Sequence, residues 1–199
     1  MKSRFFNAIH SFVACLAVRA GIEYVHETVT RPEFHLFARL LMEDIAAATP
    51  VPRYMCEQYR SEVLLRLSNK ALPDLIERIA TETSRKLGKY IMPILQDAYH
   101  QNIDLKRLIL PVAAWMLTVR ESEIESGLPY HAQDKPNTVT VTQAGAALSE
   151  IIGLEHCECT EVIDQECNQA LQDLGAYGLS TTLKNYSEES LQHEFVSAA

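Results

Sequence analysis

The stretch KSRFFNAIHSFVACLAVRAG, from Lys2 to Gly21, decides the class of fold. Phe5, Ile9, Phe12, Val13, Leu16 and Ala17 recur at helical spacing and make one apolar face. Gly21 follows the last periodic residue, where helices commonly stop, so a first helix is expected from Ser3 to Ala20. Asn7, His10, Ser11 and Arg19 interrupt the apolar run. That run is too short and too polar to cross a bilayer, which takes about 20 apolar residues, and it reads as a buried core helix.

The same periodicity continues along the chain, and alternating strand patterns are scarce. A second helix is expected after Pro32, carrying Phe34, Phe37, Leu40, Leu41 and Ile45 and ending near Pro50. A third holds Tyr59, Val63, Leu64 and Leu67 and breaks around Ser68 and Asn69. Pro73 suits the first turn of a fourth, with Leu75, Ile76, Ile79 and Ala80 inward and Arg78, Glu82, Arg85 and Lys86 on the polar side; Gly88 marks a stop or kink. Leu105 to Val119, with Trp115, reads as the most deeply buried helix, bent by Pro111. Glu121 to Asn137 reads as a loop, Thr138 to Thr142 as the one candidate strand, and Gln143–Ile152 and Thr160–Leu174 as helical segments before a polar, fraying tail. The expected fold is therefore all-α. One domain spans 1–199, with its main bundle over 1–125, a loop over 126–138, a smaller helical segment over 139–180 and the frayed tail.

A chain of 199 residues with 47% hydrophobic content can bury a sizeable core. Its formal net charge of −8 disfavours nucleic acid or an anionic membrane as the main partner, since both reward basic surfaces. Any anion site must be a local basic pocket. Five cysteines without a framework spacing, and an amino terminus that runs straight into a helix, point to a reducing cytoplasm. The seven glycines fall at Gly21, Gly88, Gly127, Gly145, Gly153, Gly175 and Gly178, so no G-x-G-x-x-G or phosphate-cradling loop can be written.

Two groups of residues could carry chemistry. Lys2, Asn7 and His10 stand at K-x4-N-x2-H spacing and, at about 100° per residue, spread over roughly 140° of a helix. They offer a proton-transfer amine, an amide that can donate to a developing alkoxide, and an imidazole for a hydroxyl. The plainer alternative is a solvated chain end and two satisfied polar neighbours. Arg78, Arg85, Lys86 and Lys89 concentrate positive charge, and Arg78 and Lys86, eight apart, would fall within about 80° on one helical face. They could bind phosphate or carboxylate. Equally, they could be a solvated face whose last-turn cations complement the helix dipole. His156, Cys157 and Cys159 lack the second ligand pair that a structural zinc site needs.

Taken in order, these segments resemble the C-terminal domain of the mannitol dehydrogenase family of long-chain, zinc-independent polyol dehydrogenases and reductases. Lys2-Ser-Arg-Phe-Phe-Asn7-Ala-Ile-His10 is similar to the family's lysine-asparagine-histidine helix. Leu65-Arg66-Leu-Ser-Asn69, Leu72-Pro-Asp74, Glu77-Arg78-Ile79 and Arg85-Lys86-Leu87 resemble its second substrate-site segment, with Lys70 replacing the usual proline after the asparagine. Within the family, Glu77-Arg78, Arg85-Lys86-Leu87 and the run from Ala147 to Glu155 look closest to mannitol-1-phosphate 5-dehydrogenase. The mannitol 2-dehydrogenase and hexuronate (fructuronate or tagaturonate) reductase branches more often carry an Asp-Gly-Ser run where this chain has Glu82-Thr83-Ser84.

The resemblance implies NAD- or NADP-dependent, metal-free interconversion of a polyol or its phosphate and a ketose, first of all mannitol 1-phosphate and fructose 6-phosphate. Lys2 would exchange the proton, Asn7 would stabilise the alkoxide and His10 would hold a hydroxyl. Arg78 and Lys86, with Arg85 and Lys89, would bind hydroxyls or a terminal phosphate. A lysine ordinarily titrates near ~10.4, so Lys2 would need the desolvation and neighbouring cations of such a site to act as a base near neutrality. The family carries its nicotinamide on a preceding Rossmann domain, whereas here one residue precedes the lysine. A Rossmann partner, in cis or in trans, is therefore expected, the chain being an excised domain, a truncated frame or part of a split enzyme. A non-catalytic helical interaction module is the alternative of another class.

Overall fold

The computed structural model describes the backbone of residues 3–124 and 157–197, with side chains over 5–121 and 157–188. Lys2, the candidate strand, the segment Gln143–Ile152, most of the expected loop and His156 lie outside the described residues. Among the described residues the elements are helical: a π-turn Ser3–Asn7, α1 (Ala8–Arg19), α2 (Val25–Thr30), α3 (Pro32–Ala47), α4 (Arg53–Leu67), α5 (Ile76–Ala80), α6 (Thr83–Lys86), a second π-turn Leu87–Ile91, α7 (Met92–His100), α8 (Lys106–Ile124) and α9 (Thr160–Ser197). The all-α class follows.

The opening helix is the axis of the bundle. Ala8, Ile9 and every residue from Ser11 to Ala17 are buried, so α1 is surrounded rather than one-faced. It packs on α8, α5 and α2. Its end is set by Gly21, whose φ of +63° is the left-handed conformation that glycine adopts without penalty. Gly21 N–H donates to the Val18 carbonyl at 3.1 Å and Ile22 N–H to the Ala17 carbonyl at 3.0 Å, the paired bonds of a Schellman stop.

α8 is deeply buried, with Leu108 to Leu110 and Val112 to Met116 all inside. Pro111 lies within it and cannot donate to the carbonyl four residues back, that of Arg107. The Arg107 side chain forks onto Asp44 of α3, with Nε and one terminal nitrogen each donating at 2.6 Å. That pair, almost withdrawn from water, ties α3 to α8. α9 closes the other side against α8 and α3. It continues to Ser197, past the expected point of fraying, and kinks at Gly178, where φ is +74°.

Two short helices depart from expectation. α2 and α5 have six and five residues, below the length at which an isolated helix persists in water, so buried Val25, Val29, Ile76 and Ile79 hold them in place. The expected fourth helix does not run from Pro73 through Lys86. Pro73 lies in an extended segment that pairs back on the chain after α1, with Val25 N–H donating to the Asp74 carbonyl and Ile76 N–H to that of Glu23. The helix then stops at Ala80, and Glu82 takes a left-handed turn at φ +55°. The break is satisfied locally. Thr81 Oγ1 donates to the Arg78 carbonyl, Thr83 Oγ1 to that of Ala80, and Lys86 Nζ to those of Ile79 and Thr81, so a chain end of α5 is capped by side chains.

Candidate active site

A cleft of about 620 Å³ opens between the start of α1, the end of α4, the Ala71–Asp74 connection, α5 and the second π-turn. Asn7, His10, Arg78 and Lys86 all line it, joined by Phe6, Arg66, Asp74 and Tyr90. Four of the residues singled out in the sequence therefore meet in one place.

The local structure explains how each is presented. Asn7 ends the opening π-turn and begins α1, and Ser11 Oγ donates to its carbonyl at 2.9 Å. A π-turn closes residues five apart rather than four, so the 100°-per-residue count that spreads Lys2, Asn7 and His10 over 140° does not hold across Ser3–Asn7. His10 stands on the first regular turn, its ring edge-on to Phe6 at 4.1 Å between centroids. The Arg66 guanidinium covers the same Phe6 ring at 4.5 Å. Arg78 is fixed by Asp74, with Nε donating at 2.9 Å and a second contact from the fork.

Lys86 is half-buried, and its ammonium is held by the Ile79 and Thr81 carbonyls at 2.6 Å each. The spacing predicts that Arg78 and Lys86 share one helical face, and they do not; they sit on α5 and α6, and the turn at Thr81–Glu82 lets both line the cleft. Arg85 pairs with Glu82 and is largely exposed, while Lys89 lies over the Tyr90 ring at 5.3 Å; neither is among the residues that line the cleft.

Electrostatically the cleft keeps its imidazole neutral. Burial, against the opposing pull of Asp74 and with help from Arg66, Arg78 and Lys86, lowers the His10 pKa from 6.5 to about 4. A neutral imidazole offers one donor and one acceptor, which suits a hydroxyl. Phe6, Arg66, Asp74 and Tyr90 were not among the sequence candidates. Asp74 was legible in principle as an i,i+4 partner of Arg78, but only long-range packing places Arg66 over Phe6. Among the described residues no group of three or more His, Cys, Asp or Glu side chains is placed to hold a metal. The described glycines with positive φ end α1 and kink α9, so neither cradles a phosphate at a helix N-terminus.

The family described as the mannitol dehydrogenase C-terminal domain matches residues 1–170. The chain belongs to that family. A mannitol 2-dehydrogenase of Aspergillus niger is 26% identical over 195 residues, covering 93% of this chain and 40% of the fungal protein. A mannitol dehydrogenase of Saccharomyces cerevisiae is 31% identical over 173 residues, covering 83% of this chain and 34% of its own. The chain thus spans roughly two fifths or less of these relatives. Among solved structures, Pseudomonas fluorescens mannitol 2-dehydrogenase, in a ternary complex with NAD and D-mannitol, superposes with a TM-score of 0.77 at 26% identity. The match covers 94% of this chain and 40% of that one. No described helix is long and apolar enough to cross a membrane.

Proposed function

We propose that this chain supplies the substrate-binding and proton-handling half of a nicotinamide-dependent polyol dehydrogenase, acting on mannitol or a close relative to give the ketose. The observation that carries this is the convergence of Asn7, His10, Arg78 and Lys86 on one cleft of about 620 Å³, a volume suited to a small molecule. Asn7 donates its amide N–H to the reacting oxygen as that oxygen gains alkoxide charge. Neutral His10 binds a neighbouring hydroxyl. Arg78, steadied by Asp74, and Lys86, steadied by two carbonyls, hold further hydroxyls along the chain of the polyol. Lys2, five residues before Asn7, takes the hydroxyl proton in oxidation and returns it in reduction.

NAD or NADP, carried by a Rossmann domain in cis or in trans, accepts the hydride. Leu72, exposed at 61% on the cleft wall, offers apolar surface for that domain to cover.

Mannitol comes first because the named relatives are mannitol dehydrogenases, two of them mannitol 2-dehydrogenases. A terminal phosphate, as in mannitol 1-phosphate, is the second reading. It is favoured by Arg66, Arg78 and Lys86 facing the same cleft as a single carboxylate, Asp74. The test combines this chain with a Rossmann domain from the family and follows NAD reduction with mannitol and with mannitol 1-phosphate, and NADH oxidation with fructuronate. Turnover of mannitol that Lys2→Ala abolishes is expected. Turnover unaffected by Lys2→Ala refutes its role, and no turnover with any substrate favours a helical interaction module.

A further inference from the structure

Outside the cleft, the chain carries a second reactive group at the start of α9. Cys157 and Cys159 lie in the turn that leads into α9, their carbonyls accepting from the Thr160 and Ile163 N–H groups at 3.1 and 3.0 Å. Their sulfurs are 2.7 Å apart. Gln96, on α7, donates its amide N–H to the Cys157 sulfur at 3.6 Å. Cys159 is buried, whereas Cys157 is only half-buried; Cys15, Cys56 and Cys167 are all buried. One sulfur of the pair is therefore open to small reagents and the other waits behind it.

We infer that Cys157 and Cys159 form a dithiol site that hydrogen peroxide converts to an intrachain disulfide, with Cys157 attacking first and Cys159 resolving. The Cys157 thiolate attacks one peroxide oxygen; the S–O bond forms, the O–O bond breaks, and hydroxide leaves and is protonated to water. The sulfur, oxidised by two electrons, is now a sulfenic acid. Cys159 gives up its proton and its sulfur attacks that of Cys157; the S–S bond forms, the S–O bond breaks, and the departing hydroxide takes the proton to give a second water. Two thiols and one peroxide become one disulfide and two waters.

The surroundings assign the order of attack. The Cys159 thiol and backbone N–H, and then Gln96, donate toward the Cys157 sulfur and favour its thiolate, lowering that thiol below its usual range. Burial pushes Cys159 up to about 12, so it stays protonated until a partner sulfur is presented. The second step needs only that the two sulfurs close to the ~2.05 Å of a disulfide.

The test treats the reduced full-length chain with one equivalent of hydrogen peroxide, then maps cysteines by alkylation and peptide mass. The expected product has lost two hydrogens, links Cys157 to Cys159, and is restored by dithiothreitol, with Cys15, Cys56 and Cys167 still alkylated after unfolding. Cys159→Ser should stop at a sulfenic acid on Cys157 that dimedone traps. Gln96→Leu should slow the reaction several-fold, at least about threefold. Oxidation falling on another cysteine, a pair that stays reduced, or zinc retained by the pair with resistance to peroxide would each overturn the assignment. The mapping on the unaltered chain decides the matter even if a variant fails to fold.

Discussion

Replacing His10 with glutamine should remove a specific pH dependence from the stability of the domain. The imidazole titrates near its usual 6.5 in the unfolded chain and at about 4 when folded, because burial and the cations Arg66, Arg78 and Lys86 disfavour its charge. Between those values the unfolded state binds more protons, so stability rises with pH across the window and falls as pH drops from 6.5 to 4. A shift of this size is worth at most about 3 kcal/mol below pH 4, about 2 kcal/mol at pH 5 and almost nothing above pH 7.5. Urea unfolding of the wild type and His10→Gln at pH 7.5, 6 and 5 isolates the effect, since every other titrating group is common to both. The wild type should lose about 2 kcal/mol relative to the variant between pH 7.5 and 5. Parallel curves, or an NMR titration of His10 near 6.5, would show that the cleft does not hold the ring neutral. Asp74→Asn supplies the cross-check: it removes the anion that raises His10 and should move the titration lower still.

Further outcomes follow from the same contacts. Asp44→Ala strands the Arg107 guanidinium and should cost about 3–5 kcal/mol in chemical unfolding. Asp44→Leu combined with Arg107→Met should recover most of that loss. Gly21→Ala meets open space but must hold φ at +63°, so it should cost about 1–2 kcal/mol by thermal unfolding, from backbone strain alone. Lys86→Met, measured with a Rossmann domain supplied, should raise the KM for the polyol about tenfold or more, the loss of one charge-assisted contact, while Lys86→Arg recovers part of it.

Much of the fold was legible because its longest signals are strictly periodic. The first helix, its glycine stop, the helix after Pro32 and the buried segment around Trp115 all declare themselves by apolar spacing. The short pieces did not. Val25–Thr30 carries too few apolar residues to stand out, and Met92–His100 follows a π-turn that blurs its start. Within the cleft, Asn7, His10, Arg78 and Lys86 were marked by spacing and charge. Phe6 and Tyr90 were not, since an aromatic at helical spacing reads as core until the partner packed over it is known.

The most instructive failure concerns the eight residues between Arg78 and Lys86. A continuous helix would put both on one face with their backbones about 12 Å apart along the axis. The structure instead breaks the helix after Ala80 and brings the Lys86 ammonium to 2.6 Å from the carbonyl of Ile79, the residue next to Arg78. The left-handed Glu82 costs of order 1–3 kcal/mol. Against it stand four side-chain caps on carbonyls of the Arg78–Thr81 run, each worth about 0.5–1.5 kcal/mol and those from the lysine more. The strained turn is thus sustained by the same ammonium that it delivers to the cleft. The break between Arg78 and Lys86 is sustained because Thr81, Thr83 and Lys86 are residue types that can satisfy a helix end.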